Sequence, residues 1–322
     1  MRPELDPDIA RFVTLMQAAW ASHPPFMTLP LAEARAVAED VRRPWRTGGP
    51  SMAATTEYPV RVGSGRTLRI RVYDPGVTRP AAALIYLHGG GFTLFSLDTH
   101  DRLMREYAAA AGLLVIGADY PLSPEIRYPT ALDDIVALVD WLGGDGAGIV
   151  GCDPDRVAIG GDSAGANIAL AAALRLRDRG TPDRLRALLL NYGAFGAPCS
   201  DEAERRFGGP GAVLDQAEMD YYFDNYTGTG DRAFGDPYAR PIIADLADMP
   251  PAFLVIPECD ILSEQSHAVA ERMRAAGGDV RHEVYAGATH SFLEAMSIAE
   301  VARRGIADGA AWLRTRLAQH PA

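Results

Sequence analysis

Ser163 has glycines two residues to either side, Gly161 and Gly165, within the stretch VAIGGDSAGANIALAAAL at residues 157–174. An apolar run enters the turn and an alanine-rich run leaves it. That is the strand–turn–helix setting in which a G-x-S-x-G serine is held up on a sharp bend. A bend this tight brings backbone segments too close for a Cβ, which is why glycine is needed on both sides. The turn lifts the hydroxyl clear of the sheet and aims the first N–H groups of the new helix at whatever approaches it.

A serine hydroxyl attacks a carbonyl only when a base takes its proton. The base is most often a histidine, held in one tautomer by a carboxylate. In a parallel sheet such groups gather past the carboxyl ends of the strands. Directly after the apolar run AFLVIPEC stands Asp260, whose competing role is to cap the helix that begins at Ser263. Glu258 is the rival acid, set closer to the strand body. Past the last expected strand comes His290, in AGATHSF. His23 and His320 lie in terminal segments, His267 falls in a helical pattern, His282 in a strand and His100 just before a helix. Position therefore selects His290. The order Ser163, Asp260, His290 is the serine–acid–histidine order of α/β hydrolases. An oxyanion formed in such a reaction needs fixed N–H donors. The run LIYLHGGGF at 84–92 ends a buried strand in His88, Gly89, Gly90 and Gly91, whose amides are unobstructed by side chains. Ala164, after the nucleophile, offers a further amide.

These groups need a scaffold, and the chain supplies alternating apolar runs and helical patterns. Two helical patterns open it: Asp8–Ala21, with Ile9, Phe12, Val13, Leu15, Met16 and Trp20 apolar, and a second that starts after Thr28 as N-cap and runs through Val41. Residues 44–54 read as a loop. Strands are expected at Tyr58–Val62 and Leu68–Tyr73, joined by Gly63-Ser64-Gly65, then at Ala82–Leu87, Leu113–Ala118, Val157–Gly160, Leu185–Tyr192, Ala252–Pro257 and Val280–Tyr285. Helices are expected at Arg102–Ala111, Ala131–Leu142, Ala164–Arg177, Ser263–Ala276 and Ala295–Leu317. The alternation implies a mostly parallel eight-stranded sheet covered on both faces, its first pair antiparallel. Residues 196–248 break the rhythm with a tyrosine-rich helical pattern, MDYYFDNY, an insertion long enough to serve the site. Gly146, Gly148 and Gly151 spell G-x-G-x-x-G, but follow a helix and precede a strand, the reverse of a dinucleotide site; they read as a loop.

Bulk properties narrow the function. A formal charge of −11 without a basic run disfavours nucleic acid and anionic membranes. No apolar run is long enough to span a bilayer, and the acidic start does not look like a secretory leader, so the expected location is cytoplasmic. Cys152, Cys199 and Cys259 are sparse and widely spaced, the pattern of reduced thiols. The chain contains no lysine, which excludes Schiff-base chemistry, the Walker phosphate loop and the S-x-x-K hydrolases.

HGGGF at 88–92, GDSAGAN at 161–167, a strand ending in Asp260-Ile261-Leu262, and HSF at 290–292 together resemble the hormone-sensitive-lipase-like family of bacterial carboxylesterases. DYPLSPE at 119–125 is similar to that family's D-Y-R-L-A-P-E, with Pro121 in place of the arginine; Ile261 replaces the usual proline after the acid. The resemblance runs from about residue 55 to the C-terminus. It implies the α/β-hydrolase fold with a helical cap: residues 1–54 as its N-terminal part, 55–195 and 249–322 as the catalytic core, and 196–248 as the cap insertion. It implies Ser163 as nucleophile, Asp260 as acid, His290 as base, the amides of Gly90, Gly91 and Ala164 as the oxyanion hole, and His88 as a brace for the glycine loop. Short-to-medium acyl esters are the implied substrates, with no metal or cofactor required and a homodimer compatible with the chain. By position, the substrate pocket is expected to be lined by Phe92, Leu94, Tyr192, Phe195, Phe207 and Tyr222. An amidase, lactonase or thioesterase on the same scaffold, and a non-catalytic ligand-binding module, are the rival classes.

Overall fold

The run AAALIYL, Ala81–Leu87 (β3), is buried along its whole length. A strand apolar on both faces must be covered by helices on both sides. It stands near the middle of an eight-stranded sheet formed with β1 (Ala54–Arg61), β2 (Thr67–Asp74), β4 (Leu114–Ala118), β5 (Cys152–Asp162), β6 (Ala187–Asn191), β7 (Ala252–Cys259) and β8 (Val280–Thr289), in the order β1-β2-β4-β3-β5-β6-β7-β8. The computed structural model describes residues 4–63, 65–196, 198–229 and 235–318. Ser64 of the expected hairpin turn and His320 lie outside the described residues. All pairings from β4 to β8 are parallel. The antiparallel part is larger than the expected first pair: β2 runs against β4 as well as against β1.

The side chains of each strand divide between two cores with a period of two, as the pleat requires. On β7, Leu254 and Ile256 join the cluster that also holds Ile135, Leu170 and Val269. Phe253 and Val255 join the other, with Phe12, Tyr107 and Leu313. The first face is therefore covered by α4 (Thr130–Leu142), α6 (Ala164–Asp178) and α9 (Ser263–Ala275). The second is covered by α1 (Pro7–Ala21), α3 (Asp101–Ala111) and α10 (Glu300–Ala318).

Four local expectations change. Helix α2 spans Leu31–Arg46, five residues beyond the expected end at Val41, and takes in the start of the expected loop. Pro44 costs it a backbone hydrogen bond, but Trp45 is buried edge-on against Phe12 at 4.7 Å and Arg46 bonds Glu39 at 3.2 Å, so tertiary packing carries the last turn. Thr28 does not cap α2. It closes a short 3-10 turn, and Pro30 precedes the helix without a side-chain cap. Gly146 and Gly148 are not in a loop but in α5 (Asp145–Val150), which left-handed Gly151 stops, its N–H bonding the Ala147 carbonyl at 2.8 Å. At the other end of the chain, Phe292–Ser297 forms a 3-10 turn, so the last helix begins at Glu300. The inserted region carries α7 (Asp201–Phe207) and α8 (Gln216–Thr227), the latter holding the tyrosine-rich pattern.

Candidate active site

Ser163 sits between β5 and α6 with φ 52 and ψ −116, a strained conformation for a residue with a side chain. Its surroundings hold it there. A Cβ on Gly161 or on Gly165 would overlap the Leu87 carbonyl oxygen at the end of β3. The Ser163 N–H donates to the Asn191 carbonyl at 2.9 Å, and its own carbonyl accepts from Ala194 and Asn167.

Asp260 follows β7 directly. Its Oδ1 accepts the Leu262 N–H at 3.0 Å, and its Oδ2 lies 2.7 Å from His290 Nδ1. His290 Nε2 lies 3.1 Å from Ser163 Oγ. The three residues are 3%, 6% and 8% exposed for Asp260, His290 and Ser163, so bulk water screens their mutual interaction little. Glu258 is committed elsewhere: its carboxylate accepts the Gly287 N–H at 3.0 Å. His267 and His282 face one another edge to face at 5.4 Å, away from this group.

The glycine loop after β3 lies beside Ser163. His88 stacks on Tyr120 at 4.5 Å, and its Nδ1 lies 2.7 Å from the Gly89 carbonyl, which can only accept, so Nδ1 carries the proton. Burial, assisted by the charge of His100, pushes the His88 imidazole down to about 3, and the ring stays neutral. The Tyr120 hydroxyl donates to the His88 carbonyl at 2.8 Å. Gly90 has φ 110 and Gly91 φ 59, values that side chains avoid, and a Cβ on Gly91 would collide with the Tyr222 ring. Ala164 is fully buried at the first position of α6, where the N–H has no partner within the helix.

A second buried pair underlies both loops. Asp162 accepts from the Tyr86 hydroxyl at 3.0 Å, from the Gly89 N–H at 3.2 Å and from His100 Nε2 at 3.3 Å. The Thr99 hydroxyl already donates to the Ser96 carbonyl, so His100 Nδ1, 2.9 Å away, must also donate to it. Both imidazole nitrogens thus carry protons. Burial works against that charge, but the Asp162 carboxylate outweighs it and raises the His100 pKa; burial likewise opposes the charge of Asp162, whose pKa His100 lowers. The sequence showed His100 only as a residue before a helix. An aspartate fixed beside a nucleophile and fully buried was the signal for a hidden counter-ion.

Ser163, His290, Gly90 and Gly91 open onto a cavity of about 510 Å³. Its remaining wall is supplied mainly by α1 (Phe12, Val13, Met16, Gln17, Trp20), by the turn around Phe26, and by residues 211–214 and α8. Of the six expected lining residues, Tyr222 stands in this wall and the others do not. Phe92 has φ 61 and stacks flat on Tyr226 at 3.8 Å, inside the core. Leu94 packs with Ala34 and Ala38 of α2. Tyr192 lies behind His290, edge to face at 5.1 Å, and Phe195 is fully buried in the larger core. Phe207 lines a separate cavity of about 90 Å³ with Cys259 and Thr289. Adjacency in sequence to the glycine loop or to a strand end does not determine which way a side chain leaves the backbone. The apolar face of α1 was the legible signal for the true wall, although Leu15, counted in that face, is 46% exposed.

A model of the alpha/beta hydrolase fold family matches residues 84–294. The chain belongs to that family. Within it, the chain is one of the hormone-sensitive-lipase-like esterases. It is 37% identical over 280 residues to an acetyl esterase of Salmonella choleraesuis (strain SC-B67), covering 86% of this chain and 84% of that protein. It is 33% identical over 314 residues to an ethyl acetate hydrolase of Pseudomonas putida, covering 94% and 96%. Among solved structures, an esterase from the hyperthermophilic archaeon Pyrobaculum calidifontis superposes with a TM-score of 0.89 at 28% identity, covering 97% of this chain and 98% of that one. The thermostable carboxylesterase EstE1, cloned from a metagenomic library, gives 0.85 at 30% identity, covering 91% and 99%. Among the described residues, no helix is long and apolar enough to cross a membrane.

Proposed function

We propose that this chain hydrolyses short-to-medium acyl esters through Ser163, His290 and Asp260. That it is a carboxylester hydrolase follows from its similarity to the acetyl esterase, the ethyl acetate hydrolase and the solved esterases. The observation that carries the mechanism is the continuous contact from Asp260 Oδ2 through the imidazole to Ser163 Oγ, 2.7 Å and 3.1 Å.

In the first step His290 Nε2 takes the proton of Ser163 as Oγ bonds to the ester carbonyl carbon. The amides of Gly90, Gly91 and Ala164 hold the developing oxyanion. The carbon–oxygen bond to the alcohol then breaks, His290 returns its proton to that oxygen, and an acyl-serine remains. Water, deprotonated by His290, attacks the acyl carbon; Ser163 leaves with the proton and the carboxylic acid is released. Asp260 keeps the imidazole proton on Nδ1 and stabilises the imidazolium formed in each half. Residues 1–54 and 196–248 act as a cap, since both contribute to the wall of the one cavity that holds Ser163. The test is steady-state hydrolysis of p-nitrophenyl esters of increasing acyl length. The parent enzyme is expected to favour short chains, and Ser163→Ala to lose about 10³-fold or more in kcat. A variant as fast as the parent would overturn the mechanism.

A further inference from the structure

We infer that the cavity selects esters bearing a positively charged ammonium group, held by the carboxylate of Glu218 and the rings of Trp20, Phe26 and Tyr222. The inference rests on the esterase reading of the same site and names the substrate class that reading leaves open.

Four side chains of the cavity wall combine into one type of receptor. Trp20, Phe26 and Tyr222 line it together, with Phe26 stacked on Tyr222 at 6.0 Å and Trp20 tilted against Phe26 at 5.5 Å. Aromatic faces attract cations through their quadrupoles, most strongly where water is excluded. Glu218 stands in the same wall. Among the described residues it has no basic partner. The other charged side chains of the wall are matched: Arg42 lies 2.8 Å from Glu294, and Asp162 is paired with His100. Among the described carboxylates and guanidinium groups of the wall, Glu218 alone is left without an opposite charge.

The first turn of α8 favours a carboxylate through the helix dipole, but the cap itself does not require the charge. Glu218 is the third residue of α8, and its Oε2 accepts the Asp215 N–H in a capping box at a long 3.3 Å. Glutamine serves that position equally well. A half-buried carboxylate without a counter-ion carries a desolvation cost, and a ligand cation would supply the missing charge. Burial, followed by the nearby Asp215 carboxylate, pushes Glu218 up to about 7, while His290 pulls it back. The other charged groups facing the cavity are Arg42, offset by Glu294, and Asp162, offset by His100 behind it. The carboxylate is therefore largely ionised above neutral pH.

The test compares acetylcholine with 3,3-dimethylbutyl acetate, which differ by a quaternary nitrogen in place of a carbon. At pH 8.5 the parent enzyme is expected to show a kcat/KM ratio of about ten or more in favour of the cation, from a charge pair at partly screened dielectric. The ratio should fall at pH 6, where Glu218 is mostly protonated. In Glu218→Gln, which keeps the cap, the ratio should drop to the smaller value that the three rings supply and be the same at both pH values. Binding of the same two esters to Ser163→Ala, read by thermal shift, repeats the comparison without chemistry. A parent ratio at or below one, or a ratio undiminished in Glu218→Gln, overturns the inference while leaving ester hydrolysis intact. Absence of turnover for both esters, with the binding preference present, counts against the esterase reading and not against the cation site. Faster hydrolysis of an ester carrying a carboxylate would assign the cavity to Arg42 and overturn it as well.

Discussion

Replacing His100 with leucine removes the counter-ion of a buried carboxylate that touches both catalytic loops. Asp162 precedes Ser163, receives the Gly89 N–H, and meets His100 Nε2 at 3.3 Å; the two side chains are 3% and 1% exposed. Breaking such a pair from one side costs about 3–5 kcal/mol, because the remaining charge is left buried and unpaired. For a chain of this size that lowers the unfolding midpoint by roughly 4–7 °C. The pH dependence has a definite sign. His100 has its folded pKa raised above the reference value of 6.5, so its contribution is complete below that value and fades as pH rises through the raised one. Asp162 has its folded pKa lowered below 3.8, so its contribution is complete above 3.8 and fades as pH falls through the lowered one. The difference between parent and His100→Leu should therefore be largest between about pH 4 and 6.5 and shrink in more alkaline buffer. Calorimetric scans of both proteins at pH 5.5 and pH 9 measure it. The double variant with Asp162→Asn should recover part of the loss, since neither charge then remains. A His100→Leu penalty below about 1 kcal/mol, equal at the two pH values, would refute the buried ion pair.

Asp260→Asn should keep the fold while presenting the wrong imidazole tautomer to Ser163, lowering kcat by about 10⁴-fold; a loss under tenfold on p-nitrophenyl acetate would return the acid role to Glu258. Gly165→Ala should abolish activity and destabilise the fold, because its Cβ would overlap the Leu87 carbonyl; circular dichroism and esterase rate should fall together, and an active, equally stable variant would contradict the elbow geometry. Phe92→Ala should cost about 3–5 kcal/mol of stability, as a buried ring stacked on Tyr226, yet leave KM for short esters within about twofold at a temperature where the variant is folded. A large rise in KM alone would restore Phe92 to the pocket.

The scaffold was legible because strands buried on both faces read as unbroken apolar runs, and Ala82–Leu87 and Leu113–Ala118 stand out from any surface segment. Ser163, Asp260 and His290 could be picked out for a related reason: each follows a strand end, and the topology brings parallel strand ends to one edge. What escaped the sequence depends on approach between segments distant in the chain. Helix α2 runs past Pro44 because Trp45 finds Phe12, a contact no local pattern contains. The pocket wall comes from α1, whose burial depends on where the N-terminal segment lands. Phe92 was misplaced because a positive φ turns it from the cavity into the core. His100 and Glu218 matter through charges they do or do not meet, and a counter-ion 62 residues away in sequence, as Asp162 is from His100, leaves no trace in spacing.

The Ser163 hydroxyl, with His290 at 3.1 Å, is the group proposed to be acylated in turnover. Treatment with diethyl p-nitrophenyl phosphate followed by intact-mass and peptide mass spectrometry tests it directly. One diethylphosphoryl group per chain is expected, located on Ser163, with p-nitrophenolate released in equal amount and esterase activity lost in step with labelling. Full activity after labelling at another residue, or an active enzyme whose Ser163 peptide stays unmodified, would contradict it.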